Sequence, residues 1–257
     1  MEIWTREVGQ GQGTALFAVV FPELVSIDDL KITGSRHGWP KGRDQEGVSL
    51  EVHEHGSELY GMVAGLFSDA VTMTQALDLG LDIEALVTSP AVAIVKVTSE
   101  EPEDLSHLQV GWALARALTE LGAVATIDLV SLRFFSPEGT MELSDSLDMS
   151  RELRVDHWAG GMPAFPEEFQ EGSDALFTRG LEKFGAPDLL LTGAAAKALD
   201  YEAARSLLLE AGEHIALRGG AKELTFGQHR FALSHYEPGA GGLPDFDLNA
   251  GVVLSLL

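Results

Sequence analysis

His53-Glu54-His55, flanked by Glu51 and Glu58, is the best metal-ligating pattern in the chain. On a strand, residues two apart share a face, so both imidazoles could chelate one transition metal. A third ligand would have to come from elsewhere, such as His37 or Glu58. The spacing is not that of the helical His-Glu-x-x-His of zinc proteases. The plainer reading is two solvent-facing histidines at a strand end, because a pair without a defined third ligand does not make a tight site. The expectation is no metal, with His53 and His55 kept as the candidate pair.

Arg36-His37-Gly38-Trp39-Pro40-Lys41-Gly42-Arg43 is a basic island in an acidic chain. Such a loop could grip a phosphate or carboxylate, with Arg36 or Arg43 as a bidentate clamp and Lys41 as a point charge. Trp39 could stack on a ligand ring. The alternative is a self-docked loop that pairs with the chain's own acids. Arg179 and Lys183 stand beside Gly180 and Gly185, which suggests an anion site with close backbone approach. The structural reading is a tight turn at Gly185, with Pro187 fixing the next dihedral and Phe184 anchoring it in the core. Arg36, Trp39, Lys41, Arg43 and Arg179 are the candidate ligand-binding residues. No Gly-x-Ser-x-Gly elbow, Walker sequence or calcium loop occurs, so no catalytic residue and no cofactor is assigned.

These residues must be held by strands and helices that the hydrophobic pattern predicts. Thr14 to Phe21 reads as a buried strand after a flexible Gly9–Gly13 lead-in, and Val48 to Glu54 as a half-buried one. Leu59 to Phe67 is read as a further strand, with a helix over Ala70 to Leu79 capped by Ser68 or Asp69. Ala91 to Val97 reads as a central strand. A helix opened by Glu101-Pro102-Glu103-Asp104 then presents Leu105, Leu108, Trp112, Ala115, Leu118 and Leu121 on one face. His107 is placed at the boundary of that buried stripe. Ala123 to Val130 and Leu132 to Phe135 follow as strands. In the second half, Ala175 to Leu181 and Asp188 to Thr192 read as adjacent strands. Asp200 caps a helix over Tyr201 to Leu217, and three strands close the chain. Val95, Trp112, Leu118, Ile127, Phe184 and Leu208 occupy inward positions and are expected to be buried.

The chain has 257 residues, a formal net charge of −23 and no cysteine. That field repels nucleic acid and anionic membrane, and it would attract a partner with a basic surface. Without cysteine there is no disulfide, thiolate metal site or cysteine nucleophile. No signal peptide and no membrane span are visible, so a soluble, cytoplasmic protein is expected.

Four segments carry a resemblance. Tyr60-Gly61-Met62-Val63-Ala64-Gly65, the Ala91 to Val97 strand and Val130-Ser131-Leu132-Arg133-Phe134-Phe135-Ser136-Pro137-Glu138 come first, in that order. Phe177-Thr178-Arg179-Gly180-Leu181-Glu182-Lys183-Phe184-Gly185-Ala186-Pro187-Asp188-Leu189-Leu190-Leu191 follows. Together, over about residues 60–257, they resemble a bacterial family that carries only a domain-of-unknown-function label. The resemblance implies a layout and no chemistry.

The expected fold is α+β, with mixed, largely antiparallel sheets and packed helices. Two similar ferredoxin-like halves, or one compact domain, would fit. The expected division is an N-terminal half over 1–136, an irregular acidic connection over 137–172 and a C-terminal half over 173–257. The expected function is protein–protein contact. The alternative is an enzyme or small-anion receptor that uses the 36–43 loop and the nearby histidines.

Overall fold

A computed structural model describes residues 1–7, 11–28, 30–42, 47–67, 70–100, 102–159, 162–164, 175–192, 199–220, 222–227, 229–237 and 251–257. The fold is α+β, built on two mostly antiparallel sheets. Two compact units share the chain. One holds Met1–Thr5 and Gln12–Leu147, the other Arg6–Gly11 and Asp148–Leu257.

The first unit's sheet contains β1 (Gln12–Phe21), β2 (Val48–Glu54), β3 (Ala91–Glu100), β4 (Ala125–Asp128) and β5 (Arg133–Phe135), in the order β2-β3-β1-β4-β5. Every neighbouring pair is antiparallel, and Phe17 faces Val95 on one side and Asp128 on the other. Strict alternation sorts β1 into two faces. Leu16, Ala18 and Val20 join Val92, Ile94 and Ile127 in a core with the helices α2 (Glu58–Leu66), α3 (Ala70–Asp78) and α4 (Ile83–Val87). The opposite face packs on α5 (Ser106–Thr119), where Trp112 lies 4.6 Å from Phe17, centroid to centroid. The short helices α1 (Gly34–His37) and α6 (Pro137–Met141) complete this unit.

α5 is buried along its whole length, His107 included. The amphipathic stripe expected from the sequence is therefore only part of its packing. The polar side chains of Gln109 and Arg116 are met from within the unit. Gln109 Oε1 accepts from the Trp4 N–H at 3.0 Å and its Nε2 donates to Glu2 O at 2.7 Å. Arg116 donates to the carbonyls of His37, Thr140 and Glu142. Leu121, placed on the buried stripe by the sequence, lies past the helix end and is exposed. The helix also starts at Ser106, whose N–H donates to Asp104 Oδ1, so Pro102 precedes it. A Cβ at Gly111 would lie 2.9 Å from both Ala15 Cβ and Phe17 Cε2. Gly111→Ala should therefore lower stability in urea unfolding, because overpacking of about 1–3 kcal/mol outweighs a helix-propensity gain of about 1 kcal/mol. A more stable variant would show that α5 sits looser on β1 than described.

The segment expected as a strand over Leu59 to Phe67 is helix α2. Ser57 caps it by accepting from the Tyr60 N–H at 3.2 Å. Its buried residues Tyr60 and Val63, with Phe67 just past its end, fall at the helical interval rather than the strand interval.

The second unit carries α7 (Met149–Glu152), β6 (Arg154–Ala159), β7 (Met162–Ala164), β8 (Ala175–Arg179), a 3-10 turn (Leu181–Phe184), β9 (Leu189–Thr192), α8 (Tyr201–Arg218), β10 (Glu223–Phe226), β11 (His229–His235) and β12 (Val252–Leu256). The strand order is β10-β11-β12-β9-β8-β6-β7, with β12 and β9 parallel. The two sheets differ in order, in length and in that parallel pair, so among the described residues they do not repeat one plan. The described part of 137–172 holds α6, α7, β6 and β7, and the chain divides at Leu147 and Asp148. All six residues expected in the core are buried.

Candidate docking surface

The cations of the basic island face the chain's own carboxylates. Arg36 Nε pairs with Glu120 Oε1. Lys41 Nζ lies 2.9 Å from Glu2 Oε1, and that ammonium holds the Glu2 carboxyl below its usual range. Both partners of the second pair are widely exposed, so it adds little stability. His37 is buried. Its Nδ1 accepts from the Thr33 N–H at 3.0 Å, and its Nε2 lies 3.2 Å from Glu120 Oε2, in ion-pair range but off the line of a hydrogen bond. Trp39 is half-buried and its carbonyl accepts from the N-terminal ammonium of Met1. Arg43 lies outside the described residues.

Arg179 belongs to the other unit. There Nε donates to Asp156 Oδ2 at 2.8 Å, Arg154 donates to the same carboxylate, and the Arg179 guanidinium lies over the Phe177 ring. The neighbouring Lys183 is fully buried against Glu152. The structure therefore brings each predicted cation in the described residues to a carboxylate.

The two histidines have different neighbours. His53 sits within β2 with Nε2 3.5 Å from Glu51 Oε2. His55 follows the strand end and rests on the Tyr60 ring at 4.9 Å. Among the described residues, no group of three or more His, Cys, Asp or Glu side chains could hold a metal ion. No helix among them is long and apolar enough to cross a membrane.

A different surface emerges from the α2–α4 layer. Tyr60 pins it, donating its hydroxyl to Ser89 O at 2.6 Å, while Ser89 Oγ donates to Phe21 O and Ala91 O. With Tyr60, Val63, Ala76 and Leu86 turned to the sheet, the same helices leave Leu59, Met62, Leu77 and Val87 exposed, Met62 at 66% and Leu77 at 60%. Large side chains this exposed, on three consecutive helices, are not needed by the core. Gly61 and Gly65 on α2 have open space where a Cβ would stand.

The charge of this stretch of chain has one sign, and the exposed Lys96 of β3, opposite Ser49 in register, follows just after it. From Asp44 through Val95 the chain has no Lys and no Arg, while Asp44, Glu46, Glu51, Glu54, Glu58, Asp69, Asp78, Asp82 and Glu84 all fall inside. No family model, no curated protein and no solved structure matches the chain. The functional argument therefore rests on this geometry and charge. Sequence reasoning missed the surface because net charge was read over the whole chain. The signal was a long acid-only stretch that spans β2, α2, α3 and α4.

Proposed function

We propose that the protein acts through protein–protein contact, and that the outer side of the α2–α4 layer and the adjoining β2 receive a partner with a basic, partly apolar surface. The observation that carries this reading is exposed Leu59, Met62, Leu77 and Val87 on helices of a segment whose charged residues are all acidic. Apolar side chains supply the attraction at short range, and surrounding carboxylates steer a cationic partner and reject anionic ones. The order of motifs also supports placing the chain in the bacterial family it resembles, whose label adds no chemistry. The small-anion reading has less support, because Arg36, Lys41 and Arg179 each face a carboxylate.

Photo-cross-linking from a diazirine amino acid at position 59, read by mass spectrometry in native extract, tests it, comparing the otherwise natural chain with Met62→Asp and with Glu51→Lys/Glu54→Lys/Glu58→Lys. The expected result is a partner cross-linked at that position, lost in both variants, with association that slows as salt rises. A partner captured equally by all three proteins would overturn the proposal.

A further inference from the structure

We propose that the outer edge of β2 accepts an extended segment of the partner as an added strand, and that this segment alternates Lys or Arg with aliphatic residues. The inference rests on the contact reading above and names what is contacted.

β2 ends its sheet, with β3 on one side and no described strand on the other. Its register fixes which backbone groups face away from β3. Thr98 N–H donates to Gly47 O at 3.1 Å, and His55 N–H donates to Pro90 O at 2.9 Å. Both pairs belong to the ladder that matches Val48 to Val97 and Glu54 to Ala91. In an antiparallel ladder alternate residues bond the same neighbour. Ser49, Glu51 and His53 thus bond β3, while Val48, Leu50 and Val52 turn their N–H and C=O groups away from it.

Sheet edges are normally blunted by shortness, proline, lysine or a bulge. The other three edges fit that rule. β5 and β7 have three residues each, β7 includes Pro163, and β10 has four. β2 has seven residues in unbroken register, with no proline and no lysine. It is the longest edge among the described strands, and the charges it carries, Glu51 and Glu54, guard it against acidic strands but not against basic ones.

The side chains specify the occupant. An added strand places its residues beside those of β2 on each face. Opposite half-buried Leu50 and Val52, aliphatic side chains would extend the face that packs on α5. On the face of Ser49, Glu51 and His53 a cationic side chain would meet Glu51, whose side chain is 62% exposed, while the exposed Lys96 stands on the far side of Ser49, on β3. A second copy of this chain pairing edge to edge would set acidic residues against acidic residues, which is unfavourable. The charge therefore selects a basic partner segment over self-association.

The test uses the full chain and two peptides of equal charge, acetylated and amidated: Lys-Val-Lys-Val-Lys-Val-Lys and the block isomer Lys-Lys-Val-Val-Val-Lys-Lys. Calorimetry should give saturable binding of the alternating peptide, at least about tenfold tighter than the block isomer. Amide exchange by NMR should show Leu50 and Val52 protected in the complex. Leu50→Pro removes an outward N–H, which an edge strand tolerates, and should lose that binding while Leu50→Ala keeps it. If Leu50→Pro does not fold, the alternating peptide N-methylated at its three Val, and separately at its inner Lys, replaces it. One of the two methylation patterns should abolish binding. Equal binding of both peptides without protection of Leu50 and Val52 overturns strand addition and leaves the contact reading standing. Failure of both peptides, together with salt-insensitive partner capture, overturns both. A dimer in sedimentation that Leu50→Pro abolishes would show that the edge serves a second copy, and would also overturn the proposal.

Discussion

Glu152→Ala should lower the unfolding free energy by about 3–5 kcal/mol. Lys183 Nζ lies 2.6 Å from Glu152 Oε2, and both side chains are fully buried. Removing the carboxylate takes this counter-charge from an ammonium that stays in the interior, away from solvent. The loss thus measures the cost of keeping a buried charge without this carboxylate, and not the strength of the pair alone. Replacing both partners, with Glu152→Leu and Lys183→Met, should be near neutral or stabilising, because two desolvation penalties vanish together. Equilibrium urea unfolding of the two variants decides it. A single-variant loss below about 1 kcal/mol, the size typical of an exposed pair, would mean that water reaches the pair.

That pair shows where sequence reasoning stopped. Lys183 was legible as part of a turn, and the turn is there: Gly180 and Gly185 both adopt positive φ around Leu181–Phe184. Its partner was not legible, since nothing local links Lys183 to Glu152 at the end of α7. The same holds for Arg36 with Glu120, Lys41 with Glu2 and Arg179 with Asp156. In a chain this acidic every cation has many possible partners, and only the fold chooses one. Strands were easier, because β1, β2, β3 and β9 carry their period or apolar run openly. α8 was legible from its cap, and Asp200 Oδ1 does accept from the Ala203 N–H at 2.8 Å.

α2 was misread for a reason that bears on function. Its inward residues are Tyr60, Val63 and Phe67, but Leu59 and Met62 on the outer side are apolar as well. A helix without polarity contrast loses the periodic signal that identifies it. The feature that hid the helix is the one that makes its outer side a docking candidate. Local rules are expected to fail where a surface is kept for something other than folding.

The stability of the second unit should fall as pH rises from about 4 to about 7. Burial pushes the Asp188 carboxyl up to about 7 from an ordinary 3.8, against the opposing pull of hydrogen bonds from Leu181 and Thr178 and of the Arg179 charge. Between those values the unfolded chain has released the proton and the folded chain still holds it. The folded state then binds more protons, so raising pH favours unfolding. This contribution is complete below about pH 4 and lost above about pH 7. The whole loss across that window is on the order of 4 kcal/mol. The geometry supplies a clean comparison. Thr178 Oγ1 and the Leu181 N–H both donate to Asp188 Oδ1, at 3.1 and 3.2 Å, which leaves Oδ2 to carry the proton. Asp188→Asn keeps an acceptor oxygen of the same shape there and never ionises. Urea unfolding of both proteins from pH 4.5 to 8 should show the variant gaining on the natural chain across the window. The other carboxylates titrate in both proteins and cancel in the difference. A flat difference would mean that Asp188 releases its proton at the same pH folded and unfolded, and that the turn around Lys183 opens to water.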